Sequence, residues 1–163
     1  MKRLGLAVFM LALLGAFACW WYAPTQVLKR RTQTLLHTLT LETGSGRSGR
    51  QMGVYSLNAL LASQVELEAP PDLDVANGIF DRSEIESAFS WLCDQAKQSR
   101  FELQKFHSVN IDGEQAEVAF ALEALVELPH SRPADGRYEV TFRWQRENDA
   151  WHLARARWEK AER

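Results

Sequence analysis

YEVTFRWQRENDAWHLARARW, residues Tyr138–Trp158, decides the fold class. In its first half Val140, Phe142 and Trp144 fall on one side, and Glu139, Thr141, Arg143 and Gln145 on the other. That period of two is the signature of a strand with one buried face. Asn148-Asp149 turns the chain, and Trp151–Trp158 returns as a second strand. Upstream, Phe101–Ile111 and Glu117–Leu128 read as another strand pair, with Asp112-Gly113 as the hairpin turn between them. Val118, Phe120, Leu122, Ala124, Val126 and Leu128 share one face of the longer strand, and Pro129–Arg137 is a loop.

The segments before this meander have helical spacing. From Phe80-Asp81-Arg82-Ser83 to about Gln98, Ile85, Ala88, Phe89, Leu92 and Ala96 form an apolar stripe. Asp81 is a helix-start residue, Cys93 a small core residue at the stripe's edge, and Trp91 lies off it. Tyr55–Ala62 reads as a short helix, and Gln64–Glu68 as a strand stopped by Pro70-Pro71. Thr25 is the expected N-cap of a first helix that buries Leu28, Thr32, Leu35, Leu36 and Leu39. Between these helices, Thr43–Arg50 reads as a flexible Gly/Ser loop, with Arg47 and Arg50 solvated or touching a lipid phosphate or ligand. Three helices followed by a twisted antiparallel sheet make an α+β domain.

Composition bounds the chain further. Its 163 residues are one domain's worth, 46% hydrophobic and 25% charged, which argues against disorder and against a multi-span membrane protein. Two cysteines, Cys19 and Cys93, rule out a disulfide framework and a multi-cysteine zinc site. The net charge of −2 gives no reason to expect nucleic acid.

That net charge hides an asymmetry: residues 1–50 carry seven Lys/Arg and one acid, whereas residues 51–163 carry twelve and twenty. After Lys2-Arg3, an uninterrupted run without charge extends from Leu4 to Ala23. Twenty helical residues span roughly 30 Å, the thickness of a bilayer's hydrocarbon core. Trp20-Trp21-Tyr22 closes the run where an interfacial aromatic belt would sit. Residues 1–24 therefore read as an anchor or export signal, and residues 25–163 as the folded domain. An uncleaved anchor is the preferred reading. A lipoprotein signal with lipid on Cys19 after Ala16-Phe17-Ala18, or a cleaved signal peptide, are the alternatives. Lys2 and Arg3 favour a cytoplasmic N-terminus, with the domain on the outer, periplasmic or extracytoplasmic side.

The order of elements resembles the nuclear-transport-factor-2-like superfamily, also called SnoaL-like or ketosteroid-isomerase-like. LNALLASQVELEAP (57–70), RSEIESAFSWL (82–92), FHSVNIDGEQAEVAF (106–120) and YEVTFRWQRENDAWHLARARW (138–158) carry the resemblance. It implies a cone-like α+β barrel, a curved antiparallel sheet wrapped on three helices with a pocket at the wide end. It also implies that pairing through the sheet is common. The catalytic set of the ketosteroid isomerases, a carboxylate base with a Tyr and a protonated Asp, has no counterpart here. Asp72 and Asp74 follow a double proline, and Tyr55 and Tyr138 lack an evident carboxylate partner.

Strand parity supplies the candidate site. Directly opposed residues of a hairpin share a face. A two-residue turn at Asn148-Asp149 sets Arg155 against Phe142 and Arg157 against Val140. A two-residue turn at Asp112-Gly113 sets His107 against Val118 and Lys105 against Phe120. Lys105, His107, Phe120, Trp144, Arg155 and Arg157 are therefore expected to line one pocket with a basic end for a small anionic ligand. The other sheet face, with His152, Ala154, Ala156 and Trp158 beside Glu139–Gln145, is expected to be a partner or homodimer surface.

No phosphate loop, zinc-binding helix, nucleophile elbow or metal-ligand spacing is present, so no catalytic residue, metal or cofactor is assigned. The expected function is a membrane-tethered, non-catalytic ligand- or protein-binding module of the cell envelope. The alternatives are a small SnoaL-like isomerase or hydratase acting on an apolar carboxylate, or a subunit of an envelope or secretion complex.

Overall fold

The computed structural model describes residues 22–42, 44, 47–70, 77–129 and 132–161. The bulk of the apolar run 4–23, together with Cys19, Asp72, Asp74 and His130, lies outside them. Among the described residues no helix is long and apolar enough to cross a membrane.

The order is α1 (Pro24–Leu39), α2 (Arg47–Asn58), β1 (Leu61–Glu68), β2 (Gly78–Asp81), α3 (Arg82–Gln95), β3 (Gln98–Asp112), β4 (Gln115–Glu127), β5 (Ala134–Glu147) and β6 (Ala150–Lys160). The six strands form one curved sheet in the order β2-β1-β6-β5-β4-β3. The meander β3–β6 is antiparallel as the alternation predicts, but β1 joins β6 in parallel, so the sheet is mixed.

Local chemistry accounts for most boundaries. Pro24 occupies the first turn of α1, where a missing N–H costs nothing, and Ala23 is the N-cap instead of Thr25. The face of α1 is as predicted: Leu28, Thr32, Leu35 and Leu36 are buried. α3 opens on a capping box, with the Asp81 amide donating to Glu84 Oε2 at 2.8 Å. Its buried residues are Phe89 and Cys93, so Cys93 lies within the stripe, while Ala88 is exposed.

The Thr43–Arg50 stretch is not all loop, because α2 begins at Arg47 and ends at Asn58. What holds its first turn is tertiary. Arg50 Nη1 donates to Cys93 O at 2.6 Å and Ala96 O at 3.0 Å, the bare carbonyls at the end of α3. A Cβ on Gly53 would sit 3.4 Å from the Phe89 ring, so glycine lets α2 lie close to α3. Ser99 closes the other seam: its hydroxyl donates to Leu39 O at 2.7 Å and accepts from the Leu41 amide at 3.2 Å.

The core lies between the helices and one sheet face. Val118, Phe120, Val140, Phe142, Trp144, Trp151, Leu153 and Ala156 meet Leu28, Leu35, Leu57, Phe89 and their neighbours there.

Candidate functional site

Bulges decide which residues share a face. At the β5–β6 hairpin, Asn148 (φ 49°) and Asp149 (φ 62°) form the predicted two-residue turn. Trp144 opposes Leu153 as expected. The register then shifts by one, so that Arg155 opposes Arg143, Ala156 opposes Phe142, Arg157 opposes Thr141 and Trp158 opposes Val140. One inserted residue turns every side chain beyond it to the other face. Arg155 and Arg157 therefore lie on the outer face, and Ala156 and Trp158 face the core, the reverse of the parity expectation.

The first hairpin is corrected in the same way. Asp112 pairs with Gln115, so the turn is Gly113-Glu114, with Gly113 at φ 59°. Val109 opposes Val118. Shifts between Phe106 and Ser108 and between Leu103 and Lys105 then bring Phe106 opposite Phe120 and Lys105 opposite Ala121. His107 is the extra residue of the first bulge. It is exposed, with Nε2 2.9 Å from Glu139 Oε2.

The six pocket candidates are thus divided. Phe120 and Trp144 have no solvent exposure and belong to the core, whereas Lys105, His107, Arg155 and Arg157 are on the outer face or its margin. The core itself is an aromatic ladder. Phe106–Phe120, Phe120–Phe142 and Phe142–Trp144 pack edge-to-face at 6.2, 5.0 and 6.2 Å between centroids. The buried polar residues among those described are Thr32 and Ser99; no buried carboxylate or histidine accompanies them.

The outer face instead holds a charged hollow of about 390 Å³, lined by Glu68, Glu117, Glu139, Glu159, Arg143, Arg155, Arg157 and Thr141. Arg155 binds two carboxylates of β1, with Nε 3.1 Å from Glu66 Oε2 and Nη2 on Glu68. The Glu68 contact leads, ahead of burial acting in the opposite sense, in holding the Arg155 guanidinium more firmly protonated than usual. Arg157 reaches Glu68 at 3.8 Å and Glu159 at 2.5 Å. Arg143 stands beside Arg155 on one side and Glu117 on the other. It makes no ion pair with a described residue, which leaves its guanidinium available in the hollow.

The parity argument missed this cluster, yet the sequence carried a signal for it. Trp151 and Leu153 are odd-numbered core residues, whereas buried Ala156 and half-buried Trp158, packed against the core, are even-numbered. Such a change of phase within one strand requires a bulge.

A second, larger cleft of about 880 Å³ lies between the end of α1, α2 and the start of β3. Leu36, Leu41, Met52, Phe101 and Leu103 form much of its wall, with His37, Glu42, Glu102 and Arg100 among its polar groups. Arg50, a ligand candidate in sequence, also borders it but is engaged by the end of α3. Among the described residues no group of His, Cys, Asp and Glu could hold a metal ion.

Cys93 is not a nucleophile of either hollow. Burial is the main cause that pushes its thiol above the ordinary 9.0, and nearby Arg50 only partly offsets this. Because the folded thiol ionises later than the unfolded one, its contribution to stability is constant at neutral pH. That contribution is lost as pH rises above about 9. Maleimide at pH 7 is expected to leave Cys93 unmodified in the folded protein and to label it in urea. Rapid labelling of the folded state, located by peptide mass, would contradict its burial.

Solved structures share this architecture. An NTF2-like protein from Cytophaga hutchinsonii aligns over 85% of this chain and 99% of its own, with a TM-score of 0.65 at 14% identity. A nuclear transport factor 2 (NTF2-like) superfamily protein from Salmonella enterica aligns over 85% and 92%, with a TM-score of 0.65 at 10% identity. A candidate dehydratase of the NTF2-like family from Streptomyces avermitilis aligns over 85% and 96%, with a TM-score of 0.61 at 15% identity. No family model and no curated protein sequence matches the chain. At these identities the likeness is one of fold.

Proposed function

We propose that this chain is a non-catalytic binding module, tethered to a membrane by residues 4–23 with its domain on the extracytoplasmic side, that engages a partner through the charged hollow on its outer sheet face. The observation that carries this reading is the filled interior. Phe120, Phe142 and Trp144 pack into the interior between the sheet and the helices, with no acid or base among them. The hollow offers one available guanidinium, Arg143, beside the ion pairs of Arg155 and Arg157, which suits a carboxylate on a small molecule or on a protein surface.

A thermal-shift series on the full chain in detergent, with small carboxylates, fatty acids and acidic peptides, tests the assignment. A binder at 100 times its Kd raises stability by about 2.7 kcal/mol. The expected result is a gain from a carboxylate that Arg143→Ala abolishes. A gain confined to fatty acids, and unchanged in Arg143→Ala, would move the site to the cleft.

The cleft supports a second reading, a small isomerase or hydratase. Its size is within the range of small-molecule sites, and Glu42, Glu102 and His37 are candidate proton-transfer groups on an apolar wall. The candidate dehydratase from Streptomyces avermitilis has the same fold. Turnover of an apolar hydroxy acid that Glu102→Gln removes would establish this reading over the first.

A further inference from the structure

We infer that the charged hollow reads a zwitterion, and that its ligand is a free α-amino acid with a small polar side chain, its carboxylate on Arg143 and its ammonium on Glu117. This rests on the proposed role of Arg143 as a carboxylate receptor, and adds to it the second charge and the ligand class.

The sheet sets two opposite charges side by side and leaves both unsatisfied. Glu117 on β4 and Arg143 on β5 are directly opposed, so their Cβ atoms stand about 5 Å apart on the same face. Among the described residues neither side chain makes an ion pair or a hydrogen bond. Every other charge that lines the hollow is engaged. Arg155 is held by Glu66 and Glu68, Arg157 by Glu68 and Glu159, and Glu139 lies 2.9 Å from His107. Arg143 also opposes Arg155 on its other side. Like charges facing each other across two strands repel, and an anion between them relieves the repulsion. The Glu117 carboxylate is oriented within reach of the same spot. After the leading Glu68 contact, it is one of the acids whose field helps to hold the Arg155 guanidinium protonated.

Short residues make the space. Two positions further along the same strands, Ala119 opposes Thr141, and Thr141 in turn opposes Arg157. Neither Ala119 nor Thr141 reaches up between the long charged side chains, and the hollow left there is about 390 Å³. That is at the small end of ligand sites, the size for a metabolite of a few heavy atoms.

The two free charges then select the ligand. A simple carboxylate satisfies Arg143 but is repelled by Glu117 beside it, and a simple amine meets the reverse. An α-amino acid carries both charges on one carbon, so one molecule satisfies both groups, with the carboxylate accepting from the guanidinium fork. The hollow is lined entirely by charged residues and Thr141. An apolar ligand side chain gains no burial against such a lining, whereas the Thr141 hydroxyl can donate to or accept from a small polar one. A phosphate on the ligand, as in a serine lipid headgroup, would stand among Glu68, Glu117, Glu139 and Glu159 and is disfavoured by their charge.

The test titrates the full chain, labelled with 15N-arginine and held in detergent, with L-serine, acetate, O-phosphoserine and an acidic peptide. The readout is the Arg143 Nε–H resonance, identified as the one missing from Arg143→Ala. Both substituted side chains are exposed, and circular dichroism checks that each variant is folded. The expected result is a Kd for serine about three- to fivefold below that for acetate, the gain from one exposed charge pair. Glu117→Gln is expected to bring the two Kd values together. Equal Kd values in the parent, or an advantage of serine that persists in Glu117→Gln, overturn the zwitterion while the carboxylate site at Arg143 stands. Tighter binding of O-phosphoserine than of serine overturns the free amino acid in favour of a lipid headgroup. An Arg143 resonance that moves with none of the four overturns the zwitterion and the carboxylate site together.

Discussion

Trp144→Ala is expected to lower the stability of the domain by about 3–5 kcal/mol. The indole has no solvent exposure, and its ring is the end of the aromatic ladder through Phe142 and Phe120. Removing it leaves a void that the sheet cannot close, because its neighbours on β4 and β6, Ala116 and Leu153, are fixed by strand pairing. The loss is a large fraction of the 5–15 kcal/mol that typically separates folded from unfolded domains. Urea unfolding followed by circular dichroism should show a large drop in midpoint with an unchanged slope. The result bears on function as well as stability. A loss below about 1 kcal/mol would mean that the interior is loosely filled, and the reading of the domain as a module without an internal substrate site would fall.

Arg50→Ala is expected to cost about 2–3 kcal/mol, more than an ordinary loop or surface substitution. One nitrogen of this half-buried guanidinium serves both Cys93 O and Ala96 O. It supplies charge-assisted donors to the C-terminal end of a helix dipole. Its loss bares two carbonyls and frees the first turn of α2 from α3. Arg50→Lys should recover part of the loss, since an ammonium keeps the charge and can donate to both carbonyls but sits on a shorter stem. Thermal unfolding of the two variants, with hydrogen exchange at the Ala96 amide, separates these effects. Equal stability of Arg50→Ala and the parent would show that α2 is held by its apolar face alone.

The sequence by itself determined the α+β class and the four-strand meander, but not β2, which lies in a stretch that reads as the lead into α3, nor the end of α2, which reads as running on to Ala62. Alternation in Val140–Trp144 and Val118–Leu122, the Asn148-Asp149 turn and the stripe Leu28, Thr32, Leu35, Leu36 are local patterns, fixed by side-chain periodicity and by backbone sterics. They appear in the structure where the sequence places them. The first turn of α2 was not legible as helix because Gly/Ser-rich sequence favours a loop. What orders it is a contact from Arg50 to carbonyls more than forty residues away.

The parallel pairing of β1 with β6 is likewise non-local. The candidate site depended most on the tertiary structure. Whether Arg155 faces the core or stands in solvent turns on a one-residue bulge at Ala154, between the Trp144–Leu153 and Arg143–Arg155 pairs. A strand's side chains alternate with a period of two, so a single unpaired residue exchanges the faces completely. Periodicity could therefore name the charged and the apolar residues of this sheet. Only the register of the folded strands could decide that Phe120 and Trp144 fill the interior, and that Arg143, Arg155 and Arg157 line a hollow on the other side.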